Sequence, residues 1–372
     1  MKQLISAILT LAAATGLAIG ADTAPALDYR SAEGLPVHGT LVPDASEIYT
    51  RLPDSLKGRI REDLWNLGQN SAGIYIRFRS DSRNIGLRWH SRNKFNMNHM
   101  TPTGIRGLDL YAMTPDSGWT FLNSGRPSLT RATTEQRVAT GMGSGEREYM
   151  LYLSLYDGVD SLWIGVDSAA TLAPPAVALP ERRKPIVMYG TSILQGGCAN
   201  RPGNVHTSIL SRALNREVIN LGFSGNARLD SEIAALMAQA DASVFVLDNL
   251  PNCTPDMVAE MTEPFIRILR ASHPTTPILL VESPYSPLMR FQPEVEATLR
   301  DKNARLRAIY ERLSPADPNL HYFEGTQIFG DNAELTVDNY HMTDAGFMRF
   351  AALLQPVLEE LINQQQNNTI NH

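Results

Sequence analysis

The feature that most constrains the fold is a change in sequence pattern near residue 175. Before it, from about 26 to 170, short runs alternate apolar and polar residues and are separated by Gly, Pro, Asn and Asp. Such alternation is typical of antiparallel strands with one buried and one solvated face. This half therefore predicts an antiparallel, jelly-roll-like β-sandwich, with strands near 73–79, 84–89, 107–111, 149–154 and 161–166.

The second half has a different pattern of apolar and polar residues. After a Pro-rich connector at 171–180, apolar strand-like runs alternate with helical patterns. This order is typical of a parallel sheet covered by helices on both faces. We expect a three-layer α/β/α domain with five parallel strands in the order 2-1-3-4-5. The strands fall at 186–189, 217–220, 243–248, 278–282 and 320–323, and the helices at 204–215, 230–240, 255–272 and 293–313.

The last helix should be capped by Thr343 or Asp344 and bury Phe347, Phe350, Leu354 and Leu358, with a kink at Pro356. The Gln- and Asn-rich tail at 364–372 is predicted to be disordered. The two predicted domains are thus 26–175 and 180–363.

The first 25 residues are typical of a cleaved secretory signal. Lys2 precedes an apolar run from Leu4 to Ile19, which ends in small residues. The alternative is a membrane anchor, but the run is short for a span of ~20 residues. We expect a secreted or periplasmic protein of bacterial origin, with no stable membrane insertion after cleavage.

Charge argues against nucleic acid as a partner. The formal net charge is −6 and the Lys and Arg residues are scattered, so no basic stripe is available to neutralise a phosphate backbone. His38, His90 and His99 form no metal-ligand spacing with other residues in the sequence, and we expect no metal and no cofactor. The oligomeric state is left open.

The strand ends of the second half carry the candidate chemistry. In an open α/β sheet, functional residues gather beyond the carboxyl ends of the strands. Ser192 follows the first strand in Gly190-Thr-Ser192, and Asp338 and His341 lie three residues apart just before the last helix. A serine hydroxyl needs a base to become a nucleophile, and that base needs an orienting group. These three residues therefore form a candidate catalytic triad.

The motifs resemble those of the SGNH, or GDSL-type, hydrolase family. The resemblance covers about 185–361 and is carried most specifically by Asp338-Asn-Tyr-His341 with Thr343, Asp344 and Gly346. In the first half, Gly107-Leu-Asp-Leu-Tyr111 resembles the motif of a β-sandwich that precedes this domain in a subfamily of bacterial esterases. Two departures are Thr191 in place of the usual Asp and Leu250-Pro-Asn252-Cys in the third block.

The resemblance also implies an oxyanion hole. Its donors would be the backbone N–H groups of Ser192 and Gly225 and the side-chain amide of Asn252. Gly222 remains an alternative to Gly225, and Asn249 an alternative to Asn252.

The resemblance implies an esterase that forms an acyl-enzyme on Ser192 and removes small acyl groups, acetyl above all, from a carbohydrate. Alternatives are a lipase or thioesterase acting on non-sugar esters, and an inactive carbohydrate-binding protein. Whether the sandwich contributes to the pocket is left open. The two cysteines, Cys198 and Cys253, follow neighbouring strands, so either they form a disulfide or they are two buried thiols.

Overall fold

A computed structural model describes residues 25–42, 49–116, 118–177 and 184–370 of the 372-residue chain, with side chains as far as 365. The predicted signal segment, except for Pro25, lies outside these residues. Residues 178–183 of the connector also lie outside them. The predicted domain boundaries stay predictions. Among the described helices, none is long and apolar enough to cross a bilayer.

The first half folds as two antiparallel sheets, as its alternating pattern predicts. One sheet has the order β1-β9-β4-β7 and the other β2-β3-β8-β5-β6. The strands are β1 (Asp28–Ser31), β2 (Val37–His38), β3 (Tyr75–Ser80), β4 (Ile85–Ser91), β5 (Leu108–Met113), β6 (Trp119–Gly125), β7 (Thr133–Ala139), β8 (Arg147–Tyr152) and β9 (Val159–Val166). Apolar side chains of both sheets, such as Phe78, Trp89 and Leu151, form one buried cluster between them. Two short helices interrupt the strands, α1 (Glu62–Gly68) and α2 (Pro102–Arg106).

The second half is the three-layer α/β/α domain. Its five parallel strands are β10 (Ile186–Gly190), β11 (Val218–Gly222), β12 (Val244–Asp248), β13 (Ile278–Val281) and β14 (Leu320–Phe323), in the order β11-β10-β12-β13-β14. This order is the predicted 2-1-3-4-5. The helices are α3 (Ser192–Gln195), α4 (His206–Ala213), α5 (Ser231–Met237), α6 (Pro255–Ser272), α7 (Pro293–Leu313), α8 (Thr326–Phe329) and α9 (Asp344–Ile370).

The strands of this sheet are buried on both faces. Along β10, Val187 and Tyr189 pack into one core and Ile186 and Met188 into the other. This is why the run reads as continuously apolar rather than alternating.

Helix α9 continues through Pro356 as far as Ile370, so the prediction of a disordered tail from 364 is wrong over that stretch. Side-chain amides explain the difference. Gln364 donates a hydrogen bond to the Glu360 carboxylate one turn earlier, and Gln365 donates to the Ala242 carbonyl. Gln365 thus ties the end of the described side chains of α9 to the segment that precedes β12.

The two halves share their apolar cores. Leu52, Leu56 and Leu64, which precede the sandwich strands β3–β9, pack into the core on one face of the parallel sheet. Ile105 and Leu155 join the core on the other face. Residues of the first half thus pack into the cores on both faces of the parallel sheet.

Polar contacts reinforce this packing. The buried guanidinium of Arg51 donates to the carbonyls of Asn220 and Gly222 at the end of β11. Burial lowers the pKa of Arg51 to about 9. Arg61 reaches across to pair with Asp230 at 2.9 Å. The strand ends that carry the predicted site are therefore held partly by residues of the first half.

Candidate active site

The structure brings the three predicted triad residues together. Ser192 begins α3 directly after β10, where the side chain of Thr191 caps the helix by accepting the N–H of Ile193. Ser192 Oγ lies 2.9 Å from Nε2 of His341, and Nδ1 of His341 lies 2.7 Å from Oδ2 of Asp338. The hydroxyl, the imidazole and the carboxylate thus form one continuous hydrogen-bonded chain.

A tight turn holds Asp338 and His341 in place. The Asp338 Oδ1 atom accepts the backbone N–H groups of Tyr340 and His341, and Val337 N–H donates to the His341 carbonyl at 2.8 Å. Between them, Asn339 has a left-handed backbone with φ of 75°. Burial raises the pKa of Asp338, but its hydrogen bonds from His341 and Tyr340 outweigh burial and leave the pKa below its usual value. The carboxylate therefore stays ionised and can orient the imidazole.

The predicted oxyanion donors lie on adjoining loops. Within the described chain, the N–H groups of Ser192 and Gly225 have no hydrogen-bond acceptor, whereas the N–H of Gly222 is taken by Asn220 Oδ1 at 2.9 Å. Gly222 is also packed so closely that an added Cβ would lie 2.2 Å from the Gln195 nitrogen, while Gly225 faces open space with φ of 68°. These contacts favour Gly225 over Gly222.

The two candidate asparagines, Asn249 and Asn252, also differ in whether their amide donors are already hydrogen-bonded. Asn249 is buried and its amide nitrogen donates to Cys253 Sγ. Asn252 accepts the N–H of Ala227 through Oδ1 at 3.2 Å, which leaves its Nδ2 without an acceptor among the described residues. The Asn252 amide is therefore the one with free donors beside the loop of Gly225.

Some residues of the site were not found by sequence reasoning. Gln195, fully buried, accepts the N–H of Ser224 and donates to the Leu155 carbonyl, so it holds the Gly225 loop against the nucleophile helix. Tyr156 Oη donates to the Ser192 carbonyl at 3.3 Å. Both act across the boundary between the two halves, which a reading of local motifs cannot detect.

The sandwich also contributes a loop to the site. Asp157 accepts the N–H groups of Asn93 and Phe95, and Arg106 donates to Asn96 Oδ1. His99, at the end of this loop, has its ring centroid 5.9 Å from that of His341. The first half therefore reaches the triad directly.

Two cavities adjoin this arrangement. The interdomain cavity, about 410 Å³, is lined by residues of both halves: Asp63, Asn66, Leu67, Asn70, Asn93, Phe95, Met97, Tyr156, Ser224 and Asn226. The α7 cavity, about 390 Å³, is lined by Ile193, Pro251, Ser283, Pro284, Glu294, Val295, Thr298, Leu299, Lys302 and Tyr340. The interdomain cavity adjoins the triad at Tyr156, which contacts the Ser192 carbonyl. The α7 cavity adjoins it at Ile193 and Tyr340, which are next in sequence to Ser192 and His341.

The cysteines are both free and buried, so of the two alternatives left open by the sequence the structure shows two buried thiols. Cys253 Sγ contacts Asn249 and the Ala227 carbonyl, on the side of the Asn252 loop. Cys198 instead lies beside Asp338, His99 and His341. The two side chains are therefore engaged with different neighbours although their strands are adjacent.

Comparison with known families agrees with this geometry. Residues 183–359 match the model of the GDSL-like lipase/acylhydrolase family, and residues 27–172 match the model described as the N-terminus of SGNH-hydrolase-type esterases, named for its GxDLY motif. The chain belongs to the GDSL-like lipase/acylhydrolase family. No curated protein matches its sequence.

Solved structures similar to this family member include a protein described as a GDSL-like lipase from Bacteroides ovatus. It is 32% identical with a TM-score of 0.85, over 91% of this chain and 98% of that one. The salicylyl-acyltransferase SsfX3 of a tetracycline biosynthetic pathway is 22% identical, with a TM-score of 0.66 over 89% and 93% of the two chains. A family two carbohydrate esterase from Cellvibrio japonicus is 15% identical, with a TM-score of 0.57 over 90% and 98%. At these identities, the acyltransferase and the carbohydrate esterase show only that they share the fold of this chain.

Proposed function

We propose that this protein is an exported serine esterase that removes small acyl groups, acetyl above all, from esterified carbohydrate. The observation that carries the proposal is the chain of two short hydrogen bonds from Ser192 through His341 to Asp338. This is the arrangement that acyl transfer by a serine nucleophile requires.

The mechanism follows from these positions. His341 takes the proton of Ser192 as the hydroxyl oxygen attacks the ester carbonyl, and Asp338 stabilises the imidazolium that forms. The negative oxygen of the tetrahedral intermediate is held by the free donors of Ser192, Gly225 and Asn252. His341 then protonates the leaving alcohol, which leaves an acyl group on Ser192. Water, deprotonated by His341, releases the acid and restores the hydroxyl.

The interdomain cavity supports a carbohydrate as the alcohol part of the substrate. Its wall carries side-chain amides and a carboxylate, from Asn66, Asn70, Asn93, Asn226 and Asp63. Amide and carboxylate groups suit the many hydroxyl groups of a sugar, and the partly exposed ring of Phe95 offers an apolar face to a sugar ring. The fold likeness to carbohydrate esterases agrees with this choice.

The α7 cavity supports the second candidate, an esterase for longer acyl chains on a non-sugar alcohol. Its lining includes Ile193, Val295 and Leu299, which are suited to an aliphatic chain. Acyl-chain length separates the two candidates: preference for octanoyl over acetyl esters of one chromogenic alcohol favours the second.

Export is part of the proposal because the apolar N-terminal segment, with small residues after it, is typical of a signal. An extracellular or periplasmic location would give the enzyme access to polysaccharide. Fractionation of the native host, with N-terminal sequencing of the mature protein, tests this directly.

Release of acetate from a panel of acetylated polysaccharides tests the activity. We expect release by the native protein and none by Ser192→Ala, with fluorophosphonate labelling of the native protein only. Polysaccharide binding without acetate release or labelling would contradict the proposal and favour an inactive binding protein.

A further inference from the structure

Four side chains with metal-binding atoms meet at the triad, and two of them are triad residues. His99, Cys198, Asp338 and His341 each offer one ligand atom, and these atoms all lie within 4.8 Å of one another. His99 comes from the sandwich loop and Cys198 from the loop that follows α3. Sequence spacing could not reveal this cluster because its members are separated by as much as 242 positions.

The spacing suits a tetrahedral ion. Bonds of ~2.0 Å to nitrogen or oxygen and ~2.3 Å to sulfur place the ligand atoms of tetrahedral zinc roughly 3.3–3.8 Å apart. The most widely separated of the four atoms therefore need to close by no more than about 1.5 Å. His99 is exposed and can make this adjustment, whereas Cys198 is buried.

The ligand types select the kind of cation. Two imidazoles, a thiolate and a carboxylate suit a borderline-soft ion such as Zn²⁺, whereas Mg²⁺ and Ca²⁺ prefer oxygen ligands throughout. The thiolate and the carboxylate together carry two negative charges, which balance the charge of the ion. Binding would release the Cys198 thiol proton to solvent, since the thiolate is the ligand.

Polar neighbours already orient two of the four side chains. One nitrogen of His99 is hydrogen-bonded to Asn98 Oδ1 at 2.9 Å, and Asp338 Oδ1 is held by two backbone N–H groups. Such partners fix the ring and carboxylate orientations that metal binding requires.

Binding at this cluster would interfere with the triad. Both ring nitrogens of His341 are in use, Nδ1 toward Asp338 and Nε2 toward Ser192. A metal ion can bond His341 only by replacing one of these hydrogen bonds. It would also draw the Asp338 carboxylate away from the imidazole.

We propose that His99, Cys198, Asp338 and His341 form an inhibitory site for Zn²⁺, which binds in competition with the hydrogen-bonded triad. The inhibition rests on the proposed esterase function, whereas the binding does not. Because one proposed ligand, His99, belongs to the sandwich, the sandwich would take part in inhibiting the Ser192 nucleophile.

Binding is measured without catalysis. Zn²⁺ is titrated calorimetrically into full-length Ser192→Ala protein, and Co²⁺ is added in parallel to record the thiolate-to-cobalt charge-transfer band. The same titrations are repeated on Ser192→Ala proteins that also contain His99→Asn or Cys198→Ser. Matched controls are His90→Asn, a half-buried histidine on β4 outside the cluster, and Cys253→Ser, the other buried cysteine.

We expect one Zn²⁺ per chain, with affinity reduced about tenfold or more by His99→Asn and by Cys198→Ser and unchanged in the controls. The cobalt charge-transfer band should vanish in Cys198→Ser. Equal Zn²⁺ affinity in all variants would overturn the proposal. His99→Asn keeps the test decisive if Cys198→Ser does not fold, because His99 is exposed.

Inhibition is measured on protein with Ser192 intact, using 4-nitrophenyl acetate. We expect Zn²⁺ but not Mg²⁺ to inhibit, reversal by a chelator, and resistance in His99→Asn. Inhibition of equal strength in His99→Asn and native protein would contradict the proposal. If no ester is hydrolysed, the proposed function fails and the calorimetry still decides the metal site.

Discussion

The carboxylate of Asp109 in the sandwich lies 2.9 Å from the guanidinium of Arg201 in the α/β domain. The Asp109 side chain is fully buried and also accepts the Gly203 N–H and the Ser124 hydroxyl. Arg201 in turn donates to Tyr111 Oη and lies over the ring of Phe121 at 3.7 Å. The Asp and Tyr of the Gly-Leu-Asp-Leu-Tyr motif thus fasten the two halves together.

The first prediction concerns this contact. Asp109→Ala leaves Arg201 without its carboxylate partner and the Gly203 N–H without its acceptor, and should cost about 3 kcal/mol of unfolding free energy. The measurement is urea denaturation followed by fluorescence and circular dichroism. Ser124→Ala is the matched control, since it removes one hydrogen bond and should cost about 1 kcal/mol. Equal losses in the two variants would contradict the role of the charge pair.

The proposed triad should behave as one unit. Ser192→Ala and His341→Ala should each lower kcat by on the order of 10⁴ to 10⁶, because neither residue can act without the other. The double variant should be little worse than either single one. Steady-state kinetics on a chromogenic acetate ester measures this, and losses that multiply in the double variant would argue for independent roles.

The oxyanion hole gives a prediction that separates two neighbouring asparagines. Asn252→Ala should lower kcat about 10²–10³-fold with little change in KM, since its free amide donors act on the transition state. Loss of the hydrogen bond from the Ala227 N–H should cost no more than about 1 kcal/mol of unfolding free energy. Asn249→Ala should instead lower the unfolding free energy by about 1–3 kcal/mol, because Asn249 is buried and hydrogen-bonded. Kinetics and denaturation on both variants test this. A larger kcat loss in Asn249→Ala would reverse the assignment.

A buried histidine predicts how stability depends on pH. His206 is fully buried, lies against the rings of Phe347 and Phe350, and has no hydrogen-bond partner in the described chain. Burial lowers its pKa from 6.5 to about 3. Between these values the unfolded chain binds the proton and the folded chain does not, so stability falls by about 1.4 kcal/mol per pH unit as the pH drops.

His206→Leu should remove this dependence. Between pH 6.5 and 4.5, the native protein should lose about 2.5 kcal/mol more unfolding free energy than the variant, because other titrating groups act equally in both. Urea denaturation at the two pH values measures the difference. Parallel pH profiles for the two proteins would show that His206 is not the group responsible.

The parallel sheet could be predicted closely from sequence because its strands are buried on both faces. The predicted strand at 320–323 coincides with β14, and the predicted helices at 255–272 and 293–313 coincide with α6 and α7. Apolar runs and caps such as Thr254, which accepts the Met257 N–H, are local signals. The proposed triad could be predicted for the same reason, since Ser192 follows the buried strand β10 and Asp338 and His341 precede helix α9.

What the sequence could not predict depends on contacts between distant segments. His99 reaches His341 only because the loop at 93–99 is anchored to Asp157. The sequence could not decide between a disulfide and two thiols, because adjacent strands do not fix where the loops that follow them place Cys198 and Cys253. Gly225 could be distinguished from Gly222 only when the partner of each N–H was known.

The sandwich loop leads to the last prediction, which concerns substrate choice. Phe95 is 44% exposed and lines the interdomain cavity, so Phe95→Ala should raise KM for an acetylated polysaccharide roughly 3- to 10-fold through loss of stacking. KM for 4-nitrophenyl acetate should not change, because so small an ester need not reach the cavity. Phe291→Ala, at a 76% exposed phenylalanine that lines neither cavity, is the matched control. An unchanged KM for the polysaccharide, or an equal rise for both esters, would exclude Phe95 from sugar recognition.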